Sequence, residues 1–187
     1  MITSLLFLFA IVATPAQAEW TGAQYNASLG AELPISDRVS IQASVHQFDV
    51  PKTGASMKFA YVGPKITVTP KFWIAPKVGV MNGWMADGSD AALISIWTGA
   101  GRGSFSVFGE IDSYFSPSQP VDIYGFVSTD WNRGVVNIGI QGETVNTNLI
   151  YGPHIGATKE PFHIELQGYV SAEAETLAVR FVTAVNF

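Results

Sequence analysis

The stretch Leu177-Ala178-Val179-Arg180-Phe181-Val182-Thr183-Ala184-Val185-Asn186-Phe187 decides the fold. Leu177, Val179, Phe181, Thr183, Val185 and Phe187 recur at every second position, between Ala178, Arg180, Val182, Ala184 and Asn186. Successive side chains of a strand point to opposite faces, so this period of two predicts a strand with one apolar face. Working outward, Tyr25, Ala27, Leu29, Ala31 and Leu33 alternate with Gln24, Asn26, Ser28, Gly30 and Glu32. Val39, Ile41, Ala43 and Val45 do so with Ser40, Gln42, Ser44 and His46. The runs Phe105 to Asp112 and Phe162 to Tyr169 repeat the pattern, and no convincing helical stripe interrupts it.

Composition bounds what such a chain can be. It has 187 residues, 48% of them hydrophobic and 12% aromatic, enough for one domain with a sizeable core. Only 13% are charged and the mean hydropathy is +0.24, which argues against disorder and against an ordinary charged surface. The net charge of -5 comes without any basic run, so nucleic acid is not an expected partner. With no cysteine, disulfides, thiolate metal sites and cysteine catalysis are excluded.

Residues 1–18, MITSLLFLFAIVATPAQA, have an apolar stretch from Leu5 to Ala13, then Pro15 and the small residues Ala16 and Ala18. This predicts a signal peptide cleaved between Ala18 and Glu19, leaving residues 19–187 as a single domain. The pattern departs from the usual one in having no Lys or Arg before the apolar stretch. A membrane anchor is the alternative, but its nine strongly apolar residues are too short for a span of about 30 Å.

Turn-forming clusters fall at residues 34–38, 51–54, 69–71, 86–90, 101–103, 116–120, 132–134, 146–148, 159–161 and 171–175. Ten turns give eleven strands, with about 15 residues per strand and turn. A tilted membrane crossing takes about 9 to 11 residues, which leaves room for a short connection. Because single-chain bacterial barrels have even strand numbers, the expectation is an all-β antiparallel barrel of about twelve strands, or ten.

Closure hides the edges of such a sheet. A soluble barrel turns its apolar face inward, whereas a membrane barrel turns it to lipid. Here the in-strand charges gather on one face, with few of the Lys and Glu expected of a water-exposed surface. The expected lumen residues are therefore Glu32, His46, Lys65, Lys77, Glu110, Asp112, Glu143, His154, Glu165 and Arg180, with Lys58 and Asp130 also counted among the lumen charges. Trp20, Trp73, Trp84 and Trp131 lie near strand ends, where an aromatic girdle would sit.

The closing residues VRFVTAVNF, with Phe181, Val185 and the terminal Phe187, resemble the terminal β-signal of Gram-negative outer-membrane barrel proteins. With the signal segment and the alternation, this resemblance extends over the whole chain, though no motif selects one family within the superfamily. It implies a porin-like barrel in the bacterial outer membrane, partnered by outer-membrane lipid and by the barrel-assembly machinery that reads Phe187. It also implies that both termini lie on the periplasmic side.

Two further patterns bear on function. YVGPKITVTPKFWI from Tyr61 resembles IYGPHIGATKEPFHI from Ile150, matching Gly63-Pro64 with Gly152-Pro153 and Lys65 with His154. Such in-strand prolines predict poorly paired stretches, since proline cannot donate a ladder hydrogen bond. Convergent turn chemistry competes with an ancestral hairpin duplication as the reason. His163 and Glu165 share a strand face, but no nucleophile elbow or zinc-type histidine spacing accompanies them. No catalytic residue, cofactor or metal is therefore expected. The leading expectation is a narrow porin-like channel for small solutes, or a structural barrel. A barrel enzyme acting on lipid or peptide and a soluble periplasmic barrel binding an apolar ligand are the alternatives.

Overall fold

A computed structural model describes residues 22–52, 54–82, 90–117, 119–146, 148–171 and 177–187. The expected signal segment, its Ala18/Glu19 junction, Trp20 and Trp84 lie outside the described residues. Eleven strands follow one another: β1 (Gly22–Ser36), β2 (Val39–Val50), β3 (Ala55–Thr69), β4 (Phe72–Asn82), β5 (Ala91–Arg102), β6 (Phe105–Ser116), β7 (Gln119–Arg133), β8 (Val136–Val145), β9 (Asn148–Lys159), β10 (Phe162–Ser171) and β11 (Leu177–Asn186). Each pairs with its neighbours in sequence, and β1 pairs with β11 to close the barrel.

The count corrects the expected twelve strands, or ten. Turn chemistry had already marked eleven, and rounding to an even number introduced the error. An odd number of up-and-down strands leaves the first and last running the same way. The closing pair is accordingly parallel, in register from Gly22↔Ala178 to Gly30↔Asn186, while every other pair is antiparallel. Beyond that register the seam is stitched by Phe187 N–H to Gly30 O at 3.0 Å and Glu32 N–H to Phe187 O at 2.8 Å.

The same parity places the ends of the barrel chain apart. Gly22 lies at one mouth and Phe187 at the other, which corrects the expectation that both termini share a side. The mouth holding Phe187, here the turn end, has only two-residue connections, at 37–38, 70–71, 103–104, 134–135 and 160–161. At the opposite mouth, the loop end, connections run from two to eight residues.

Alternation fixes which side chains face in. Outward positions are apolar and exposed along the strands, among them Leu29, Val45, Val80, Ile94, Ile140, Ile155, Leu166 and Val179. Inward positions carry the buried polar groups Gln24, Lys77, Asp112, Asn137, Glu143, His154 and Arg180. Lys58 breaks the expected assignment: it is exposed and lies between the inward Met57 and Phe59, so it does not belong to the lumen. Trp73 breaks the girdle reading, because it faces inward against Phe108, under the bare backbone of Gly99. Outward aromatics nevertheless ring both mouths, with Phe72, Phe105, Trp131, Phe162 and Phe187 at the turn end and Tyr25, Phe115 and Tyr151 at the loop end.

The in-strand prolines act as expected. The β3–β4 ladder skips from Val62↔Val78 to Ile66↔Ile74, and the β9–β10 ladder from His154↔Gln167 to Tyr151↔Val170. Both gaps bring backbones close. A Cβ on Gly63 would lie 2.1 Å from Pro76 O, and one on Gly152 2.0 Å from Gly168 O. The matching Gly-Pro pairs thus do the same job in β3 and β9, letting neighbouring strands approach where proline has removed a donor.

Candidate functional site: the barrel lumen

The interior is layered from mouth to mouth. At the loop end Phe48, Val50 and Met57 pack together, and Tyr61, Met81, Ala91, Leu93 and Tyr114 form a second apolar cluster beside them. Tyrosine hydroxyls then hand over to charge. Asp112, fully buried, accepts hydrogen bonds from Tyr61 Oη at 2.9 Å, from Tyr114 Oη at 3.1 Å and from Ser95 Oγ. Buried carboxylates survive only when their lone pairs are occupied, and these three hydroxyls do that. The Lys77 ammonium lies 3.2 Å from the centre of the Trp97 ring, a cation–π contact in a desolvated setting. His46 stands edge-on to Tyr61 and Trp97 in the same layer.

Arg180 crosses the middle of the lumen. From β11 its guanidinium grips Glu143 on β8 through two bonds, Nη2 to Oε1 at 2.5 Å and Nη1 to Oε2 at 3.0 Å. Its Nε donates to Gln24 Oε1 on β1 at 3.0 Å, and Nη1 also donates to Tyr169 Oη at 2.9 Å. The guanidinium carbon lies 4.8 Å from the ring centre of Phe48 and 4.7 Å from that of Tyr169. Tyr124 Oη completes Glu143 by donating to Oε2 at 2.8 Å. One planar cation therefore braces strands β1, β2, β8 and β10 across the barrel.

Between these layers a cavity of about 260 Å³ remains, walled by His46, Phe59, Trp97, Phe108, Glu110, Phe126 and Val182, with Arg180 and Glu143 beside them. Towards the turn end, Lys65 Nζ pairs with Glu32 Oε2 at 2.9 Å, and Glu32 also accepts from Ser40 and Gln42. Across the same mouth, His154 Nε2 lies 2.8 Å from Asp130 Oδ1, and His163 Nε2 lies 3.4 Å from Glu165 Oε2. Asn137 Nδ2 bridges the two acids, at 3.1 Å from Asp130 and 3.3 Å from Glu165.

All ten lumen candidates occupy inward positions, but they fall into separate groups. Glu143 and Arg180 meet directly; Glu32 and Lys65 meet at the turn end; Glu165 and His154 share one cluster with Asp130. His46, Lys77, Glu110 and Asp112 line the central layer. The terminal-strand residues Phe181 and Phe187 are exposed on the outer face, with Val185 half-buried beside them.

Sequence reading missed the lumen-filling tyrosines: Tyr61 and Tyr114, which donate to Asp112, Tyr124, which donates to Glu143, and Tyr169, which donates to Gln167 and accepts from Arg180. Their signal was positional, since each occupies the polar register of its strand. Known protein families and curated proteins give no match to this chain.

Proposed function

We propose that the chain is a membrane-spanning barrel of the outer-membrane type that acts as a narrow, cation-leaning channel for small solutes. The observation that carries this reading is the inverted amphipathicity: the outside is apolar and exposed along most of the wall, while most in-strand charges and amides turn inward, with Gln47, Asp49 and Lys58 forming an outward polar group near the loop end. A water-soluble barrel of the same topology would carry the opposite arrangement. Aromatic side chains at both mouths support it, because amphipathic and aromatic groups favour the two membrane interfaces. Outer-membrane barrels turn their short connections to the periplasm, so the turn end with Phe187 is assigned there and the loop end to the outside.

Eight strands enclose a lumen that side chains just fill, and eleven enclose little more. The lumen charges are Glu32, Asp112, Asp130, Glu143 and Glu165 against Lys65, Lys77 and Arg180, an acidic balance in a confined low-dielectric space. Such a field raises the local concentration of cations, and salt screens it. The Arg180–Glu143 brace favours a second reading, a structural barrel with a closed lumen.

Planar-bilayer recording separates the two. Unsubstituted protein should give a small single-channel conductance with a reversal potential favouring cations, and Arg180→Ala with Glu143→Ala should enlarge the conductance. Replacing Glu32 by Gln should weaken the cation preference. No conductance from either folded protein would reject the channel and leave the structural barrel. Assembly has its own test. The Phe187 side chain is exposed while its backbone stitches the seam, so Phe187→Ala, which keeps both backbone bonds, should barely change the stability of refolded protein, yet sharply lower membrane insertion in cells if the ring is read as a β-signal. Normal insertion of Phe187→Ala would reduce Phe187 to an interface aromatic.

A further inference from the structure

We propose that Asp130, His154 and Glu165 form a binding site for one divalent transition-metal ion of the zinc class, just inside the turn end of the lumen. One ligand atom from each lies within 4.8 Å of the others. The three come from β7, β9 and β10, and two glycines let them converge. In the strand ladder Gly139 of β8 sits between Asp130 and His154, and Gly156 of β9 between Asn137 and Glu165. A Cβ on Gly139 would lie 2.8 Å from the His154 ring, and one on Gly156 2.7 Å from Asn137 Oδ1. The side chains reach across these bare backbone positions to meet.

Charge gives the second argument. Among the described residues, the ion pairs of Asp130 and Glu165 are to imidazoles, whereas Glu32 has Lys65 and Glu143 has Arg180. Two carboxylates bonded to one amide therefore have no permanently charged Lys or Arg partner among the described residues. Beside them, His154 Nδ1 and Asn137 Oδ1 are buried without any hydrogen-bond partner. When Nε2–H donates to Asp130, Nδ1 presents a lone pair, so the pocket holds more electron-pair donors than protons to match them. A cation is the group that corrects this imbalance.

Donor type selects the ion. One imidazole with two carboxylates suits zinc and its neighbours, while calcium and magnesium prefer all-oxygen shells. Three protein ligands leave a position for water. An outer shell is also present, with Gln167 Nε2 on Glu165 Oε1 at 2.5 Å and His163 on Oε2.

The test is calorimetric titration of zinc chloride into the full folded chain in detergent, without chelators. One equivalent should bind, Asp130→Asn and Glu165→Gln should each weaken binding by about tenfold or more, and Glu160→Gln, an acid in the 160–161 turn, should leave it unchanged. Absence of stoichiometric binding, or equal affinity in all variants, would overturn the proposal. Should a site variant fail to fold, cobalt on the unsubstituted protein decides. Visible d–d bands that zinc displaces support the site; their absence refutes it.

Discussion

Replacing Arg180 with alanine is expected to destabilise the barrel by about 3–5 kcal/mol, the largest effect of any single lumen substitution. Arg180 is 4% exposed and Glu143 3%, so removing the guanidinium leaves a buried carboxylate that, among the described residues, keeps only the Tyr124 hydroxyl as a side-chain partner. It also frees Gln24 and Tyr169 of a donor and strips the Phe48 and Tyr169 rings of their cation. Removing both partners should cost clearly less than Arg180→Ala alone, because no unpaired charge then remains inside. Urea unfolding in detergent, followed by heat-modifiable gel migration, measures both. A double variant as unstable as the single one would show that Arg180 acts through packing rather than through its charge.

Ile140→Arg is the second large expected effect. Ile140 stands near the middle of β8 and is 66% exposed on the outer face, so in the proposed membrane-spanning barrel an arginine there would meet the hydrocarbon centre at a cost of about 2–4 kcal/mol. Val182→Arg points instead into the cavity, beside Glu110 and Glu143, and should be tolerated better. Ala178 would be a poor comparison despite facing inward, since it is 3% exposed and has no room for a longer chain. Equal losses from Ile140→Arg and Val182→Arg in bilayers, or a folded Ile140→Arg monomer in plain buffer, would overturn the lipid-facing assignment.

The barrel was legible because each strand has one apolar face and the chain bends at glycine, proline and asparagine. Parity placed Glu143 and Arg180 inside, and the repeat that matches His154 with Lys65 placed His154 there. Where residue type was used in place of parity, the reading failed. Lys58 was counted with the lumen for its charge, and Trp73 with the rim for its ring, although Met57 and Gly99 fix both the other way. The encounter of Asp130, His154 and Glu165 could not be read at all. It depends on the relative register of four strands and on two glycines opposite the right partners, and neither leaves a spacing motif in the chain.

The parallel seam has a consequence for rearranging the protein. In an even-stranded barrel the two chain ends emerge together, and a few residues can join them to make a circular permutant. Here a linker from Phe187 to Gly22 must travel the height of the wall, along nine paired residues or about 30 Å, and so needs roughly ten extended residues. Such a linker would run antiparallel to both β11 and β1. The shortest covalent bridge between the ends is thus itself a strand, and the seam is where this barrel would admit a twelfth.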